Sequence, residues 1–460
     1  MATILIVIFI VGYLFIALEH NLHIDKAASA LITGTLCWAA LVLGWHEVPE
    51  HLGEAYSAFT HGGDHGGHGA LKVFFEHRLL HHMEEISSIL FFLLGAMTIV
   101  ELVDAHNGFS VITDKITTRK KGKLLWIIGI LTFFFSAALD NLTTSIVMIS
   151  LLRKLIADKP TRWLYAGAVI ICANAGGAWS PIGDVTTTML WIGGQLTTPV
   201  IITNLILPSI VCMVVPLTIM SIRMKGEVER PEVHDLDEEA DPTSKGERNL
   251  IFAMGVSGLL FVPVFKTVTH LPPFMGMMLS LGVLWLTTEV LHRSKNDQER
   301  RQLSVVGVLR KIDTASVMFF LGILLAVGAL QEAGHLIATA DWLRDSLGDV
   351  YLINVAIGLL SAIVDNVPLV AASMGMYPIA DPGAVAWMGN FVQDGIFWQF
   401  LAYCAGTGGS ALIIGSAAGV AVMGLERIDF VWYLKRMSLL AIAGYLAGAA
   451  VYWLMFGLAA

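Results

Sequence analysis

Apolar runs long enough to cross a lipid bilayer recur from one end of this sequence to the other. A transmembrane helix needs about 20 mostly apolar residues to span a hydrocarbon core roughly 30 Å thick. We assign ten such runs, which lie near 2–18, 25–44, 85–103, 163–198, 199–222, 249–265, 274–291, 313–333, 395–424 and 431–457. The 460-residue chain is also 56% hydrophobic and only 14% charged. A soluble domain of this size does not have that composition, so we predict an all-α polytopic membrane protein.

Two further apolar runs are each interrupted near the middle by an Asp-Asn pair. These pairs are Asp140-Asn141 and Asp365-Asn366, and a Ser-Ala sequence precedes both at the same spacing. A carboxylate at bilayer depth is costly, so it is kept only where it pairs, faces water or binds something. Non-helical backbone is tolerated at that depth where it lines a cavity. We therefore predict two re-entrant hairpins, over 124–157 and 351–380.

A second motif also occurs twice. The stretch from Cys172 to Asp184 matches the stretch from Cys404 to Ser416, with a Gly-Gly pair and an Ile-Gly pair at equivalent positions. Paired glycines, followed by a proline in the first copy, interrupt a membrane helix. We therefore expect broken helices over 163–198 and 395–424. The four cysteines (Cys37, Cys172, Cys212 and Cys404) lie in apolar segments without metal-ligand spacing, and we expect buried free thiols.

The repeated motifs divide the chain into two related halves. We assign 1–222 to an N-terminal repeat, 223–248 to a cytoplasmic linker and 249–460 to a C-terminal repeat. Each half contains five spans and one hairpin. An odd number of spans makes the two halves insert in opposite orientations, which is the inverted-repeat architecture of secondary transporters.

The distribution of Lys and Arg predicts the orientation of the chain, because cytoplasmic loops are enriched in both. All but four of the 28 Lys and Arg fall in the loops 19–26, 104–123, 153–162, 223–248, 292–312 and 425–436. The four on the other side are Lys72, Arg78, Lys266 and Arg344. Both chain ends are then outside, the first hairpin opens from the cytoplasm, and the second opens from the opposite face.

Oxygen-bearing side chains are concentrated in the hairpins and the broken helices. The candidate residues for ion binding and proton coupling are Asp140, Asn141, Thr143, Thr144, Asn174, Asp184, Thr186, Thr187, Ser361, Asp365, Asn366 and Ser410. Hard oxygen ligands suit a small alkali cation. No Lys, Arg or His occurs within 124–152, 163–198, 351–380 or 395–424. We therefore expect carboxylates without a fixed positive partner, and a sodium ion at Asp140, Asn141, Asp365 and Asn366.

A buried carboxylate can carry a proton as well as a metal cation, because burial favours its neutral form. Competition between a proton and sodium for one site is sufficient for exchange when the loaded carrier moves across the membrane. Two alternatives remain open, a sodium-coupled carrier of an anion and a channel or non-transporting scaffold. No cofactor and no nucleic acid are expected. Asp184 could simply cap a half-helix, and Asn174 could bridge broken backbone.

Several peripheral residues have a weaker signal. His81, His82, Glu84 and Glu85 begin the third predicted span, where they could sense pH or merely cap and anchor the helix. The His-rich, glycine-spaced segment 61–68 is interpreted as a solvated loop, with metal binding as the alternative. Glu332 lies near a predicted helix end, where we expect it to reach water.

The quoted segments resemble the NhaD-type sodium/proton antiporters of the ion transporter superfamily. The supporting stretches are 85–101, the first Asp-Asn segment, 174–187 and 365–368, and the resemblance covers nearly the whole chain. It implies a homodimer in a bacterial inner membrane, with a scaffold domain and a transport domain that moves like an elevator. It also implies exchange of sodium or lithium for protons, with roles for Asp140, Asn141, Asn174, Asp184, Thr186, Thr187, Ser361, Asp365 and Asn366.

The dicarboxylate carriers of the same superfamily have Ser-Asn-Thr at their hairpin tips, whereas this chain has Asp-Asn. Their substrate is therefore not transferred to this protein.

Overall fold

A computed structural model describes residues 2–44, 48–61, 70–113, 115–231, 243–293 and 295–458. Two segments of the sequence analysis lie outside these residues. They are the His-rich segment after His61 and the part of the predicted linker from 232 to 242.

Helices account for the regular structure of the described chain. The first half contains α1 Ala2–Ala17, α2 Glu19–Leu22, α3 Lys26–Gly44, α4 Gly53–His61, α5 Ala70–Ala105, α6 Ser110–Thr113, α7 Lys121–Leu139, α8 Asn141–Leu155, α9 Lys159–Gly177, α10 Val185–Ile192 and α11 Thr198–Arg223. The second half contains α12 Lys245–Thr269, α13 Pro273–Leu291, α14 Asp297–Leu303, α15 Val305–Val308, α16 Thr314–Glu332, α17 His335–Leu347, α18 Val350–Leu360, α19 Asn366–Met376, α20 Ile396–Gly408, α21 Ala417–Glu426, α22 Phe430–Arg436 and α23 Ser438–Phe456. Three short 3₁₀ helices cover Glu50–Leu52, Ala386–Phe391 and Gly409–Ala411.

Eight of the described helices are long and apolar enough to cross a membrane. They are α3, α5, α7, α11, α12, α13, α16 and α23. Large apolar side chains cover their outer faces; Val268 and Leu286, for example, are 73% and 68% exposed. A helix that is apolar on every side is stable in lipid rather than in water. The prediction of an all-α polytopic membrane protein is therefore confirmed.

Helix α5 is longer than the sequence analysis predicted. It begins at Ala70 and runs for 36 residues, which corresponds to about 54 Å and exceeds the hydrocarbon core. His81 to Glu85 therefore lie within a continuous helix and do not begin it, and their place at the start of the third span stays a prediction. The segment before His81 is too polar to read as a span, yet it has no helix breaker, and Phe74 and Phe75 are buried.

The two predicted helix breaks are present. Helix α9 ends at Gly177 and α10 begins at Val185, while α20 ends at Gly408 and α21 begins at Ala417. Glycine permits close backbone contacts beside both breaks. A Cβ atom on Gly176 would collide with the Phe133 carbonyl of α7, and one on Gly408 would collide with the Gly358 carbonyl of α18.

The long helices form two groups. A first bundle comprises α1, α3, α5, α12, α13 and α16, in which α3 packs on α16 and α12 packs on α13. A second bundle comprises α7 to α11 and α18 to α23, in which α11 packs on α23, α7 on α9 and α18 on α20. The bundles meet where α19 packs on α16 and α10 packs on α5. The four cysteines are buried free thiols, as predicted.

Candidate ion-binding site

The first Asp-Asn pair forms a sharp corner in the second bundle. Asp140 alone separates α7 from α8, and its backbone has φ 126° and ψ 163°, a region that glycine normally occupies. A non-glycine residue in this region costs about 1–3 kcal/mol. The Asp140 carboxylate accepts hydrogen bonds from the Thr143 amide at 2.7 Å and the Thr143 hydroxyl at 2.8 Å. An aspartate is thus held in a strained conformation at the start of α8, which favours a functional role.

The second Asp-Asn pair begins α19. Residues 361–365 separate α18 from α19, and Asp365 caps α19 by accepting a 3.3 Å hydrogen bond from the Val367 amide. The hydroxyl of Ser361 donates to the Ala405 carbonyl of α20 at 3.1 Å. In the first half, the hydroxyl of Ser136 makes the equivalent bond to the Ala173 carbonyl at 2.5 Å. Each corner is therefore tied to the broken helix of its own half.

Asp184 connects the first corner to the first helix break. One of its carboxylate oxygens caps α10 by accepting bonds from the Thr186 amide at 2.9 Å and the Thr186 hydroxyl at 2.8 Å. The other accepts a 2.6 Å bond from the side-chain amide of Asn141. Asp184 is 2% exposed. The capping role that the sequence left open for Asp184 is confirmed. The carboxylate oxygen that does not cap α10 binds Asn141, at the corner between α7 and α8.

Asn174 joins the two halves of the chain. Its side-chain oxygen accepts a 3.0 Å bond from Asn141, and its nitrogen donates to the hydroxyls of Ser410 at 2.9 Å and Ser416 at 3.0 Å. These bonds all run between side chains, and Asn174 is fully buried. Asn174 therefore does not bridge broken backbone; it links one broken helix to the other.

Asp184 lies within electrostatic range of two further carboxyl groups. Asp184 interacts with the charges of both Asp140 and Asp365. Like charges in a medium of low polarity repel strongly, and a bound proton or metal cation relieves that repulsion. The arrangement therefore favours the uptake of positive charge at the site.

The expectation that these acids lack a fixed positive partner is wrong for Asp365. The ammonium nitrogen of Lys26 lies 3.8 Å from a carboxylate oxygen of Asp365. Lys26 is the first residue of α3, which belongs to the first bundle and lies outside the hairpin and broken-helix segments of the sequence, which contain no Lys, Arg or His. A contact between residues so far apart in the sequence cannot be deduced from local composition.

The remaining predicted residues have different surroundings. The Thr187 hydroxyl donates to the backbone carbonyl of Asp184 at 2.9 Å. The Thr144 hydroxyl is buried without a hydrogen-bond partner in the described chain. Asn366 is 3% exposed, and its side chain makes no hydrogen bond to another described residue. Buried polar groups are normally paired, so the Thr144 hydroxyl has free hydrogen-bonding capacity.

Neither Ser416 nor Lys26 was among the site residues predicted from the sequence. Ser416 binds Asn174 and also caps α21 by accepting a 3.2 Å bond from the Gly419 amide. A signal was present, because Ser416 is the repeat equivalent of Asp184. The two halves thus place a cap at the same position, but only the first half uses a carboxylate.

The candidate pH-sensing residues lie away from this network. His82 binds Glu332 through its Nε2 atom at 2.8 Å, and Arg78 donates to the same carboxylate at 2.9 and 2.7 Å. Glu332 is 1% exposed, so the expectation that it reaches water is wrong; the extended helix α5 covers it. His81 lies 3.9 Å from Glu85 on the exposed side of α5.

A cavity of about 600 Å³ opens beside these residues, between the two bundles. Glu84, Glu85 and Lys266 line it from the first bundle, and Gln195 and Met374 line it from the second.

Broken helices around a buried network of carboxylates and amides are typical of secondary transporters, and this is the class of protein that the fold and the site define. Residues 4–389 match the family described as "Citrate transporter". Together with the relatives that follow, this match shows that the chain belongs to the NhaD-type sodium/proton antiporters of the ion transporter superfamily.

Three similar proteins illustrate the relationship. The chain is 53% identical over 376 residues to Sodium/proton antiporter 1 of Arabidopsis thaliana, an alignment that covers 81% of this chain and 63% of that protein. It is 44% identical over 452 residues to Sodium/proton antiporter 2 of the same plant, with 97% of each chain covered. It is 30% identical over 479 residues to the Na(+)/H(+) antiporter NhaD of Alkalimonas amylolytica, with coverage of 98% and 90%.

Proposed function

We propose that this protein is a sodium/proton antiporter that exports sodium in exchange for protons, with lithium as an alternative cation. The observation that carries the proposal is that buried Asp184, which is hydrogen-bonded to Asn141, lies within electrostatic range of both Asp140 and Asp365. Relatives that share 53%, 44% and 30% of their aligned residues with this chain are named sodium/proton antiporters.

The family description names citrate, and Lys26 supplies a positive charge, so an anion carrier is the second candidate. Three carboxyl groups at one site would repel a multiply charged anion. Lys26, the basic group that the described residues place beside them, is already paired with Asp365. The acidic character of the site therefore supports a cation as the substrate, and citrate is not transferred to this protein.

Exchange follows from competition at the acidic site. Sodium would take oxygen ligands from Asp140, Asn141, Asp365 and Asn366, with the unpartnered Thr144 hydroxyl as a further oxygen. A proton would neutralise the same carboxylates when sodium leaves. Either a proton or a sodium ion neutralises the carboxylates. The site therefore crosses the membrane with one of these two ions bound, and this couples the proton flux to the sodium flux.

We further propose that residues 1–222 and 249–460 are inverted repeats with re-entrant hairpins, joined by the linker 223–248. Equivalent serine-to-carbonyl bonds in both halves support this division. The packing supports it as well, because α8 packs on α21 of the second half and α19 packs on α10 of the first. Each proposed hairpin therefore packs against the broken helix of the opposite half.

Alternating access would follow if the second bundle moves as one body against the first. The hydrogen bonds of Asn174 to Ser410 and Ser416 hold the two halves of that bundle together. We propose an elevator movement of this kind within a homodimer. The proposed location is a bacterial inner membrane, with both ends of the chain outside. His81, His82, Glu84 and Glu85 are proposed to sense pH at the outer face.

Neutral substitutions at the two corners test the function. We expect Asp140→Asn and Asp365→Asn each to abolish sodium-dependent proton movement in everted vesicles, because an amide cannot alternate between a proton and sodium. Asp158→Asn is the matched control, since Asp158 is an exposed aspartate that caps α9 through the Thr161 amide at 2.9 Å. It should retain full exchange. Wild-type exchange in both corner variants would refute the site assignment.

A further inference from the structure

Lys26 connects the first bundle to the candidate site in the second. Its ammonium nitrogen lies 3.8 Å from the Asp365 carboxylate, and the two side chains are 21% and 17% exposed. Lys26 begins α3, whereas Asp365 begins α19. The contact therefore spans the boundary between two bodies that are proposed to move relative to each other.

The residues around Lys26 favour pairing of its ammonium group with Asp365. The ammonium nitrogen lies 4.6 Å from the centre of the Phe319 ring on α16, a position that favours a cation. Two other acidic residues close to Lys26 in the sequence accept hydrogen bonds from backbone amides. Asp25 accepts from the Ala27 amide at 2.7 Å, and Glu19 accepts from the Lys26 amide at 3.4 Å. Among the ion pairs of the described chain, Lys26 is paired with Asp365 and with neither of these acids.

A second lysine also extends from the first bundle to the second, but its partner there is not a carboxylate. Lys266 on α12 donates to the Trp191 carbonyl at the end of α10 at 2.7 Å and lies 4.5 Å from the Trp191 ring centre. It thus binds backbone and an aromatic face. Lys26, by contrast, pairs with one of the acids that the transport proposal assigns to sodium.

An ammonium group and a sodium ion neutralise the same charge, and both cannot occupy a position beside Asp365 without repelling each other. When sodium is absent, the pair with Lys26 stabilises the partly buried carboxylate. When sodium binds, the ammonium must move away from Asp365, and the side chain of Lys26, which is 21% exposed, is not enclosed by protein on every side.

We propose that Lys26 is a tethered counter-ion that occupies Asp365 in the empty carrier and is displaced by sodium. This inference rests on the proposed function. Lys26 determines the apparent affinity for sodium, because sodium must compete with the ammonium group for Asp365. Displacement also removes one of the contacts between the two bundles, which lowers the resistance to movement of the second bundle.

The test separates sodium affinity from turnover. Purified Lys26→Met protein in proteoliposomes should show an apparent sodium KM that is roughly three- to tenfold lower than that of the wild type, because the competing charge is gone. Lys26→Arg should keep a KM near the wild-type value, since guanidinium can pair with the carboxylate. A role confined to packing would weaken sodium binding or leave it unchanged, and either result would overturn the proposal.

Two lysines provide controls. Lys159 lies 5.3 Å from the centre of the Trp163 ring at the cytoplasmic end of α9, and Lys159→Met should leave both KM and maximal rate unchanged. Lys266→Met removes the other lysine that crosses between the bundles and should not lower the sodium KM. A lower KM in Lys266→Met would attribute the effect to general loosening and refute the counter-ion role.

Direct sodium binding by calorimetry keeps the inference separate from the transport proposal. If the wild type binds sodium and Lys26→Met does not bind it more tightly, the inference fails while the proposed function stands. If the wild type neither binds sodium nor exchanges it for protons, the proposed function fails and the inference fails with it. Lys26→Gln, which retains a long polar side chain, replaces Lys26→Met if the latter does not fold.

Discussion

Asp140 and Asn141 are adjacent residues with different structural roles. Asp140 adopts the strained backbone conformation and caps α8 through Thr143. Asn141 donates from one side-chain nitrogen to both Asn174 and Asp184. Asn366, the equivalent of Asn141 in the second half, lacks such bonds within the described chain because its neighbours at the equivalent positions are Gly406 and Ser416. The site is therefore built unequally from two similar sequences.

This inequality predicts different stabilities for two equivalent substitutions. Asn141→Ala should destabilise the protein by about 1–3 kcal/mol, because it leaves the buried acceptors of Asn174 and Asp184 without their donor. Asn366→Ala removes no hydrogen bond to a described residue and should cost less. Thermal unfolding in detergent measures the difference. Equal losses in both variants would contradict the assigned network.

At this scale, the sequence was informative about which residues form the site and uninformative about their partners. Asp140, Asn141 and Asp184 were identifiable because polar residues at membrane depth require an explanation. Lys26 was not, since its ion pair depends on how α3 packs beside the start of α19, more than 300 residues further along the chain. Ser416 could have been identified from its alignment with Asp184.

Helix breaks are the elements that position the site. The gap between α9 and α10 places Asp184 at a helix start, and the gap between α20 and α21 places Ser416 at the equivalent start. The free amides at a helix start donate hydrogen bonds to the oxygen of the capping side chain. Close packing at Gly176 and Gly408 brings the broken helices against α7 and α18. Gly176 and Gly408 therefore determine how closely each Asp-Asn pair approaches the capping residue of the broken helix in its own half.

A methyl group at one of these glycines should be harmful. Gly176→Ala would press against the rigid Phe133 backbone and should destabilise the protein by about 1–3 kcal/mol. Gly282→Ala is the matched control, because a Cβ atom there meets no other atom within 4 Å. It should be neutral or slightly stabilising, since alanine favours helix more than glycine does. Thermal unfolding tests both, and a stable Gly176→Ala protein would argue against the close approach.

Elements were predictable where a local signal marks their limits. The paired glycines and Pro181 marked the breaks correctly. The segment of α5 before the predicted span at 85–103 was not predicted, because the residues from Ala70 to His81 are mixed in character. Their helical structure depends on the burial of one face by neighbouring elements, which composition alone does not reveal.

At the scale of the whole molecule, two histidines meet where the halves of the first bundle adjoin. His106 follows α5 and His292 follows α13; their rings stack with centres 4.9 Å apart, and their Nε2 atoms are 3.2 Å apart. Burial lowers the pKa of both histidines, and the nearby His106 charge contributes to lowering the pKa of His292 to about 4. Lys295 further lowers the pKa of each, whereas Glu247 opposes the shift.

The histidine pair predicts a loss of stability in acid. A histidine whose folded pKa is depressed takes up protons more readily when unfolded, so stability falls as pH drops from about 6.5 toward 4, by about 1.4 kcal/mol per unit of pKa shift. His292→Gln should flatten the dependence of the melting temperature on pH over this range. The exposed His23, changed to Gln, should leave that dependence as in the wild type. An unchanged dependence in His292→Gln would refute the role of the pair.

The overall class of the molecule followed from composition, and its division into halves was proposed from the repeated motifs. The grouping of helices into two bundles could not be read from the sequence. It depends on contacts such as α3 with α16, which join residues from opposite halves. Such pairings are set by the complementary shapes of whole helix faces, and many apolar faces in this chain are alike in composition.

The most direct test of the central claim is sodium-driven proton movement by the purified protein in proteoliposomes that contain a pH-sensitive dye and no organic anion. The account predicts that a sodium gradient moves protons in the opposite direction in the wild type, and that Asp140→Asn and Asp365→Asn abolish the signal. Proton movement that requires citrate or another anion, or no response to sodium by the folded wild type, would contradict it.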